Sequence, residues 1–430
     1  MRRLVAYWVG LAVVLSGATQ LRLGGLPIGP GEALLAAWIG FMAMLLLTGR
    51  IIIGPVFRFL CLYWLAAAVL LGFGALMAVA MDRVDTSTGG GPIHDTIAYA
   101  LLAAFSCSLA LRWRDNGEEY YLTIMRVTFF AFTACLTFLL CLAMVVPGIG
   151  PMRFWYGGIR FAGWSENPNQ LALFANIMPF FGWYLASRAH GWRRAAYGVA
   201  IACNVAIGWA TKSDGLRVAW LIGVGLACLV AWYYRPVPDR RRLVPYVSYV
   251  IVPLLLIVAA VSYGPELLAA FERASMDLYK ESGQGDIRFT VWLNGLRALA
   301  ESPIVGWGPG AFSGLHRPFE GFEAHNTLID WGASTGGLGL AMHAALWAYC
   351  AWRALSVGAL PLFAAVIAMA IDSMFGYNLR HPVYWLLFTM VLLLTQRREP
   401  DAVPATQPDG SADLARAAGL RGWRQSQRPF

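Results

Sequence analysis

Apolar residues fill this chain in runs of membrane length, and its polar positions gather between those runs rather than inside them. Windows of about 20 apolar residues, the helix length that crosses roughly 30 Å of hydrocarbon, can be laid at 4–21, 29–48, 57–80, 95–111, 121–146, 169–187, 194–210, 216–234, 244–262, 327–351, 359–375 and 382–396. The pattern predicts an all-α polytopic membrane protein with about 12 transmembrane helices. Residues 263–326 break it as the one long polar insertion. Within them Arg288 to Glu301 reads as a helix, with Phe289, Trp292, Leu293, Leu296 and Leu299 on a mainly apolar face. Ser302-Pro303 ends that helix, and Gly306-Trp307-Gly308-Pro309-Gly310 must turn tightly. This glycine cluster follows a helix instead of linking a strand to one, so it reads as turn chemistry and not as a phosphate cradle. No internal repeat is evident. Residues 1–396 therefore read as a single membrane domain whose loop 263–326 is the catalytic candidate, and the Pro-, Ala-, Asp-, Gln- and Arg-rich stretch 397–430 as a disordered cytoplasmic tail.

Composition and charge then orient the spans. The chain is 58% hydrophobic and only 13% charged, about half the charged fraction of soluble proteins. Arg2/Arg3, Arg50/Arg58, Arg112/Arg114, Arg188/Arg193/Arg194, Arg235/Arg240/Arg241/Arg242, Arg353 and Arg397/Arg398 occupy alternate short loops, which the positive-inside rule assigns to the cytoplasm. Both termini are then inside, and the loops near 81–94, 147–168, 211–215, 263–326 and 376–381 are outside. The net charge of +9 is accordingly a topology signal, and no folded basic module supports nucleic-acid binding. Ser16-Gly17-Ala18 resembles a signal-peptide cleavage site, but Gln20-Leu21-Arg22 leads straight into the next span, which favours an uncleaved first helix. All seven cysteines fall inside predicted spans, so neither a disulfide framework nor a thiolate metal site is implied. Trp113, Trp155, Trp164, Trp307 and Trp385 lie near span ends, as an interfacial belt would.

Candidate chemistry collects on the outside face. His325 stands in the polar segment Glu323-Ala324-His325-Asn326-Thr327, just before a glycine-rich apolar run. An imidazole titrates in the range needed to deprotonate a sugar hydroxyl, with Glu323 or Asp330 as an orienting carboxylate; the alternative is a helix cap or a hydrogen-bonded structural histidine. Arg160, Lys212, Arg217 and Arg288 are the cations that a diphosphate would require, since the arginine fork binds phosphate oxygens bidentately and keeps its charge near lipid. Each could equally snorkel or pair with a neighbouring acid, Asp214 for Arg217 and Asp286 for Arg288. Asp372, within the eleventh window, is costly in lipid and must face the interior, lining a cavity if one is there. No HExxH, clustered Cys/His set or nucleotide-binding glycine loop occurs, so no metal or cofactor is expected.

These residues resemble the O-antigen ligase and polysaccharide polymerase superfamily of bacterial inner-membrane glycosyltransferases. His325-Asn326, nine residues, then Gly336 and Gly339 match its HN-x9-GxxG signature. Arg288 through Trp292 to Pro303-Ile304-Val305-Gly306-Trp307-Gly308-Pro309-Gly310 resembles its arginine-tryptophan helix and proline-glycine turn. Arg160-x-x-Gly163 with Asn167-Pro168-Asn169 resembles a further element. The chain departs from the family at the eighth span, where Ser213 is followed by Asp214 rather than arginine; the nearest arginine is Arg217, and Lys212 is the substitute.

The resemblance implies metal-independent, inverting glycosyl transfer from an undecaprenyl-diphosphate-linked oligosaccharide donor to a glycan acceptor, on the periplasmic side of the inner membrane. It implies that the Arg288 position, with Arg217, holds the diphosphate and that His325 activates the acceptor; Glu323, Asn326, Arg160 and Lys212 complete the expected substrate-binding set. Polymerisation of an exopolysaccharide or O-antigen repeat is the first expectation, with a flippase and chain-length or export proteins as further partners. The alternative is ligation of finished glycan to lipid A-core or protein. A transporter or flippase would place charges along a path through the midplane and show inverted repeats. This chain instead collects them on one face.

Overall fold

The computed structural model describes residues 1–22, 28–83, 91–113, 118–233, 284–310 and 323–396. Every predicted apolar window except 244–262, which lies outside these residues, coincides with a helix. In chain order the described helices are α1 (Arg2–Ser16), α2 (Pro30–Leu47), α3 (Pro55–Ala80), α4 (Gly91–Leu109), α5 (Glu118–Ala143), α6 (Pro168–Ser187), α7 (Trp192–Ala210), α8 (Asp214–Tyr233), α9 (Gln284–Glu301), α10 (Thr327–Ser356), α11 (Leu360–Asp372) and α12 (Pro382–Leu394). Proline opens α2, α3, α6 and α12 at the position where its missing N–H costs nothing. Among the described residues α2, α3, α5 and α8 are long and apolar enough to cross a membrane by length and composition alone, and α11 and α12 are shorter apolar helices. Of the expected long loop, 263–283 and 311–322 fall outside the description. The chain divides into two units, Met1–Thr395 and Gln396–Phe430; the expected tail 397–430 lies wholly outside the described residues.

An all-α reading misses three two-residue antiparallel ladders: β1 (Ile51–Ile52) with β2 (Arg112–Trp113), β3 (Gly148–Ile149) with β4 (Met152–Arg153), and β5 (Trp155–Tyr156) with β6 (Arg160–Phe161). Such short pairings carry no hydrophobic alternation to detect. The last two are hairpins within the 147–168 loop, and the first ties together two loops that the charge pattern assigns to one side. β1 and β2 join the 51 and 112 loops, Arg2 lies 5.4 Å over the Trp113 ring, and Arg188 meets Glu118 at 2.6 Å. At the other end Gln20 bonds to the carbonyls of Arg153 and Ser165, and Thr19 to Gln170.

The core contains α1 packed on α2 and α5, α6 on α7, and α11 on α8 and α6. Close approaches run through small residues: a Cβ on Gly223 would stand 2.8 Å from the Ala364 carbonyl oxygen. That is the device helices use where burial of apolar surface no longer drives them together. The tryptophan expectation is corrected for the residues it named, whereas Trp192, Trp209, Trp232 and Trp352 are exposed near helix ends. Trp113, Trp164, Trp307 and Trp385 are buried rather than arrayed as an interfacial belt, and Trp155 is half-buried. Trp307, for instance, packs with Ala78, Ala298 and Ala333 and donates to the Ala298 carbonyl at 2.8 Å. Asp372 is likewise not deep in its span. It is the last residue of α11, and its carboxylate accepts from the Asn378 amide at 3.1 Å.

The expected face of the loop helix holds only in part: Trp292 and Leu299 are half-buried, and the side chain of Phe289 lies outside the description. α9 buries Val291, Asn294, Gly295 and Ala298 and exposes Leu293 and Leu296. It rests on α10, which is two helical segments joined at Gly336, where φ is 68° and ψ −171°. The Pro303–Gly308 turn fits into this break. Trp307 and Gly308 donate to the carbonyls of Ala333 and Ser334, both at 2.9 Å, while Gly337 and Leu338 donate back to Pro303 and Ile304. The groups freed by breaking the helix are thus satisfied by the turn. Side chains are excluded at the joint: a Cβ on Gly336 would lie 2.2 Å from the Ile304 backbone, and one on Gly306 2.4 Å from that of Ser334. The glycines of both motifs are therefore a docking joint, in agreement with turn chemistry.

Candidate functional site

The segment entering α10 is fixed by its own side chains. Asn326 is the N-cap, its Oδ1 accepting from the N–H groups of Leu328 and Ile329 at 3.1 and 3.3 Å. Asp330, fully buried one turn on, reaches back to accept from the N–H groups of Ala324 at 2.9 Å and Asn326 at 3.3 Å. Thr327 anchors the same point to the loop after α11, donating through its N–H to Ser373 and through its hydroxyl to Gly376. Between these restraints His325 takes the left-handed conformation, φ 50°, and its side chain is 56% exposed. A bulky residue in that region is strained, and such strain clusters at functional sites.

Of the two carboxylates expected to orient the imidazole, Glu323 faces it and Asp330 is committed to the backbone. Glu323 Oε2 lies 3.9 Å from His325 Nδ1, an ion-pair distance and not a hydrogen bond. Its Oε1 meets the Arg380 guanidinium. Arg380 in turn binds Asp95 Oδ1 at 2.8 Å, and Asp95 Oδ2 accepts from the Gly310 N–H at 3.1 Å. Asp95 is completely buried. Burial opposes the charge on Arg380, but Glu323 and Asp95, followed by Tyr377 and Tyr99, outweigh it and raise its pKa, so the guanidinium stays protonated. The Tyr377 ring lies under it, 4.8 Å away. A cavity of about 140 Å³ opens beside Arg380, lined also by Arg22, Glu32, His94, Gln170 and His381. Burial, with Arg380 and Arg22 nearby, lowers His381 to about 3, so it is neutral.

The remaining expected residues form a second cluster. Arg160, on β6, donates from Nε to the Thr211 carbonyl at 2.9 Å and from a terminal nitrogen to Asn169 at 2.7 Å, joining the hairpin to the α7–α8 turn and the start of α6. Lys212 sits exposed in that turn with φ 51°. Arg217, in the first turn of α8, pairs with Asp214 at 3.1 Å and lies 4.3 Å over the Trp209 ring. The alternative role weighed for Arg217, pairing with Asp214, is thus realised. Asp214 is 56% exposed, and such pairs contribute only about 0–1 kcal/mol, so an arriving anion competes with it cheaply. The two clusters meet through the loop after α11: Gly215 packs on Phe375, and Ser373 and Gly376 hold Thr327. Arg288 lies on α9, with its side chain outside the description, as is that of Asp286.

Arg380 and Asp95 were missed from the sequence. Their signal was a charge at the edge of an apolar window, Asp95 opening one and Arg380 two residues before another, in a chain where charge is scarce.

A helical membrane protein with a strained histidine, a carboxylate partner and a cluster of cations at one end of its bundle is the class defined so far. Residues 199–344 match the model of the family described as O-antigen ligase, and this stretch contains Lys212, Arg217, Arg288, Glu323, His325 and Asn326. That stretch is thus similar to an O-antigen ligase domain, which supports the resemblance to the O-antigen ligase and polysaccharide polymerase superfamily. That family implies glycosyltransferase-like activity on a lipid-linked glycan in a membrane setting. A search of curated proteins finds no match to this chain.

Proposed function

We propose that this protein is a multi-pass inner-membrane glycosyltransferase of about 12 spans. In this reading it polymerises undecaprenyl-diphosphate-linked repeat units into an exopolysaccharide or O-antigen at the periplasmic face. The observation that carries the reading is the exposed, strained His325 facing the Glu323 carboxylate inside the stretch similar to an O-antigen ligase domain. The acceptor hydroxyl attacks the anomeric carbon from the side opposite the diphosphate. Its proton passes to His325, the anomeric C–O bond to the diphosphate breaks, and the configuration inverts. Glu323 stabilises the imidazolium that forms. Arg288 and Arg217, with Lys212 and Arg160 nearby, hold the departing diphosphate, which removes the need for a metal ion. Arg160 and Arg217 reach that anion by exchanging the Asn169 and Asp214 contacts they make here. Asn326 acts through the backbone by capping α10. The bilayer supplies the donor, and a flippase together with chain-length or export proteins would act before and after this step.

A second reading, transfer of finished glycan to lipid A-core or protein, is favoured by the family's own description as O-antigen ligase. Glycan analysis of a deletion strain separates the two. Accumulated single lipid-linked repeats support polymerisation, and long lipid-linked chains that never reach their acceptor support ligation. Normal glycan of normal length on its normal acceptor would remove both.

A further inference from the structure

We propose that Arg380 is a positioning residue for His325, bracing Glu323 against the buried Asp95 so that one carboxylate oxygen faces the imidazole while the other is held away. The inference rests on the reading of His325 as the base.

The arrangement is a ladder of divided contacts. Asp95 spends one oxygen on the Gly310 N–H and the other on Arg380; Glu323 spends one on Arg380 and turns the other to His325 Nδ1. Four separate parts of the chain meet here: the start of α4, the end of the Pro303–Gly310 turn, the segment before α10 and the segment before α12. Asp95 cannot move without unpairing the Gly310 amide, and Arg380 is further held over Tyr377. The guanidinium fork is what permits two carboxylates to be held at once.

The charges give the ladder a second effect. A carboxylate beside an imidazole favours the imidazolium, and a bare Glu323 would keep His325 protonated to higher pH. Arg380 draws on the same carboxylate and limits that effect. Among the described residues the other charged and titratable groups near this pair are His94, 3.5 Å from Asp95, and Tyr99 on α4, Tyr377 and His381 before α12, Asp330 on α10, and Arg22 and Glu32 across the cavity. Asp330 points its oxygens at backbone N–H groups, and His381 is neutral.

The test uses the full-length protein in lipid nanodiscs and two readouts: transfer per folded molecule against pH, and NMR titration of the His325 ring, assigned by its loss in His325→Ala. Arg380→Gln is expected to raise the His325 midpoint by about one pH unit and to lower the plateau rate. Arg380→Lys keeps the charge and should leave the midpoint in place while still lowering the plateau. In a Glu323→Gln background the Arg380→Gln shift should shrink to the direct effect of losing one nearby cation, because Arg380 acts mainly through Glu323. An unmoved midpoint in Arg380→Gln, or a shift of undiminished size without Glu323, overturns the proposal. If His325→Ala transfers normally while the midpoint still moves, the ladder stands and the base reading falls. If His325→Ala is inactive and the midpoint does not move, the base reading stands and the ladder falls. Should Arg380→Gln fold poorly, Arg380→Met, which also removes the charge, carries the same comparison.

Discussion

At the scale of residues, the local geometry around His325 is set by Asn326 and Asp330, which never touch its ring in the contacts described. Asp330 satisfies two buried backbone donors at once, and leaving a buried donor unpaired costs about 1–3 kcal/mol. Asp330→Ala is therefore expected to lower the melting temperature in detergent and to release the Glu323–Asn326 segment; an unchanged melting temperature would mean these bonds are not holding it. The reacting groups make a different prediction. His325→Ala should abolish transfer while the lipid-diphosphate donor still binds, whereas Arg288→Lys, keeping charge but losing the fork, should weaken donor binding and turnover together. Near-normal transfer per folded molecule in His325→Ala would defeat the base reading, and unchanged donor affinity in Arg288→Lys would defeat the clamp. His325 and Glu323 were legible because a polar pentapeptide stands out against an apolar run. Arg380 and Asp95 were not, because they meet across 285 positions of sequence and neither stands in a recognisable motif.

Elements tell a more uneven story. Helix positions followed directly from hydropathy, since a backbone in lipid has to satisfy its own hydrogen bonds. Which face of a helix is buried did not. Leu293 and Leu296 point outward on α9 while Asn294, Gly295 and Ala298 point inward. The close contact of α9 with α10 runs through a small residue, Gly295 beside Ile329, so apolar periodicity does not mark its buried face. The break in α10 was equally hidden, for a glycine pair inside an apolar run reads as an ordinary helix. Gly336→Ala should be severe. Its φ and ψ fall in a region open essentially to glycine, worth about 1–3 kcal/mol alone, and the new Cβ would meet the Ile304 backbone at 2.2 Å. Thermal unfolding and folded yield should both fall, while Gly358→Ala, also at positive φ but with open space around it, should cost less. Equal losses in the two variants would deny the joint its role.

For the whole molecule, the alternation of arginine-bearing loops predicts which segments share a side, and the described contacts pair loops in that grouping. The compartment each side faces is testable by labelling. Cysteines introduced as Ser282→Cys and Ser313→Cys should react with an impermeant thiol reagent applied to the periplasm, and Ser411→Cys should react only after the membrane is opened. Labelling of Ser411→Cys in intact spheroplasts would invert the topology and move His325 to the cytoplasm. The buried Tyr63–His343–Tyr384 chain, with hydroxyl contacts of 2.7 and 2.6 Å to the two ring nitrogens, belongs to this scale as well. It joins α3, α10 and α12, which no local sequence pattern reveals.

The break at Gly336 also sets a depth gauge. The segment after it, residues 337–356, would extend about 30 Å at 1.5 Å per residue, close to the hydrocarbon thickness in length. On the proposed topology the shorter segment before it would stand above the acyl chains like a stilt about 13 Å tall, carrying His325 at its top. A base held at that height would meet an anchored substrate where its water-soluble part emerges from the bilayer, so the lipid tail need never leave the membrane for its sugar to react.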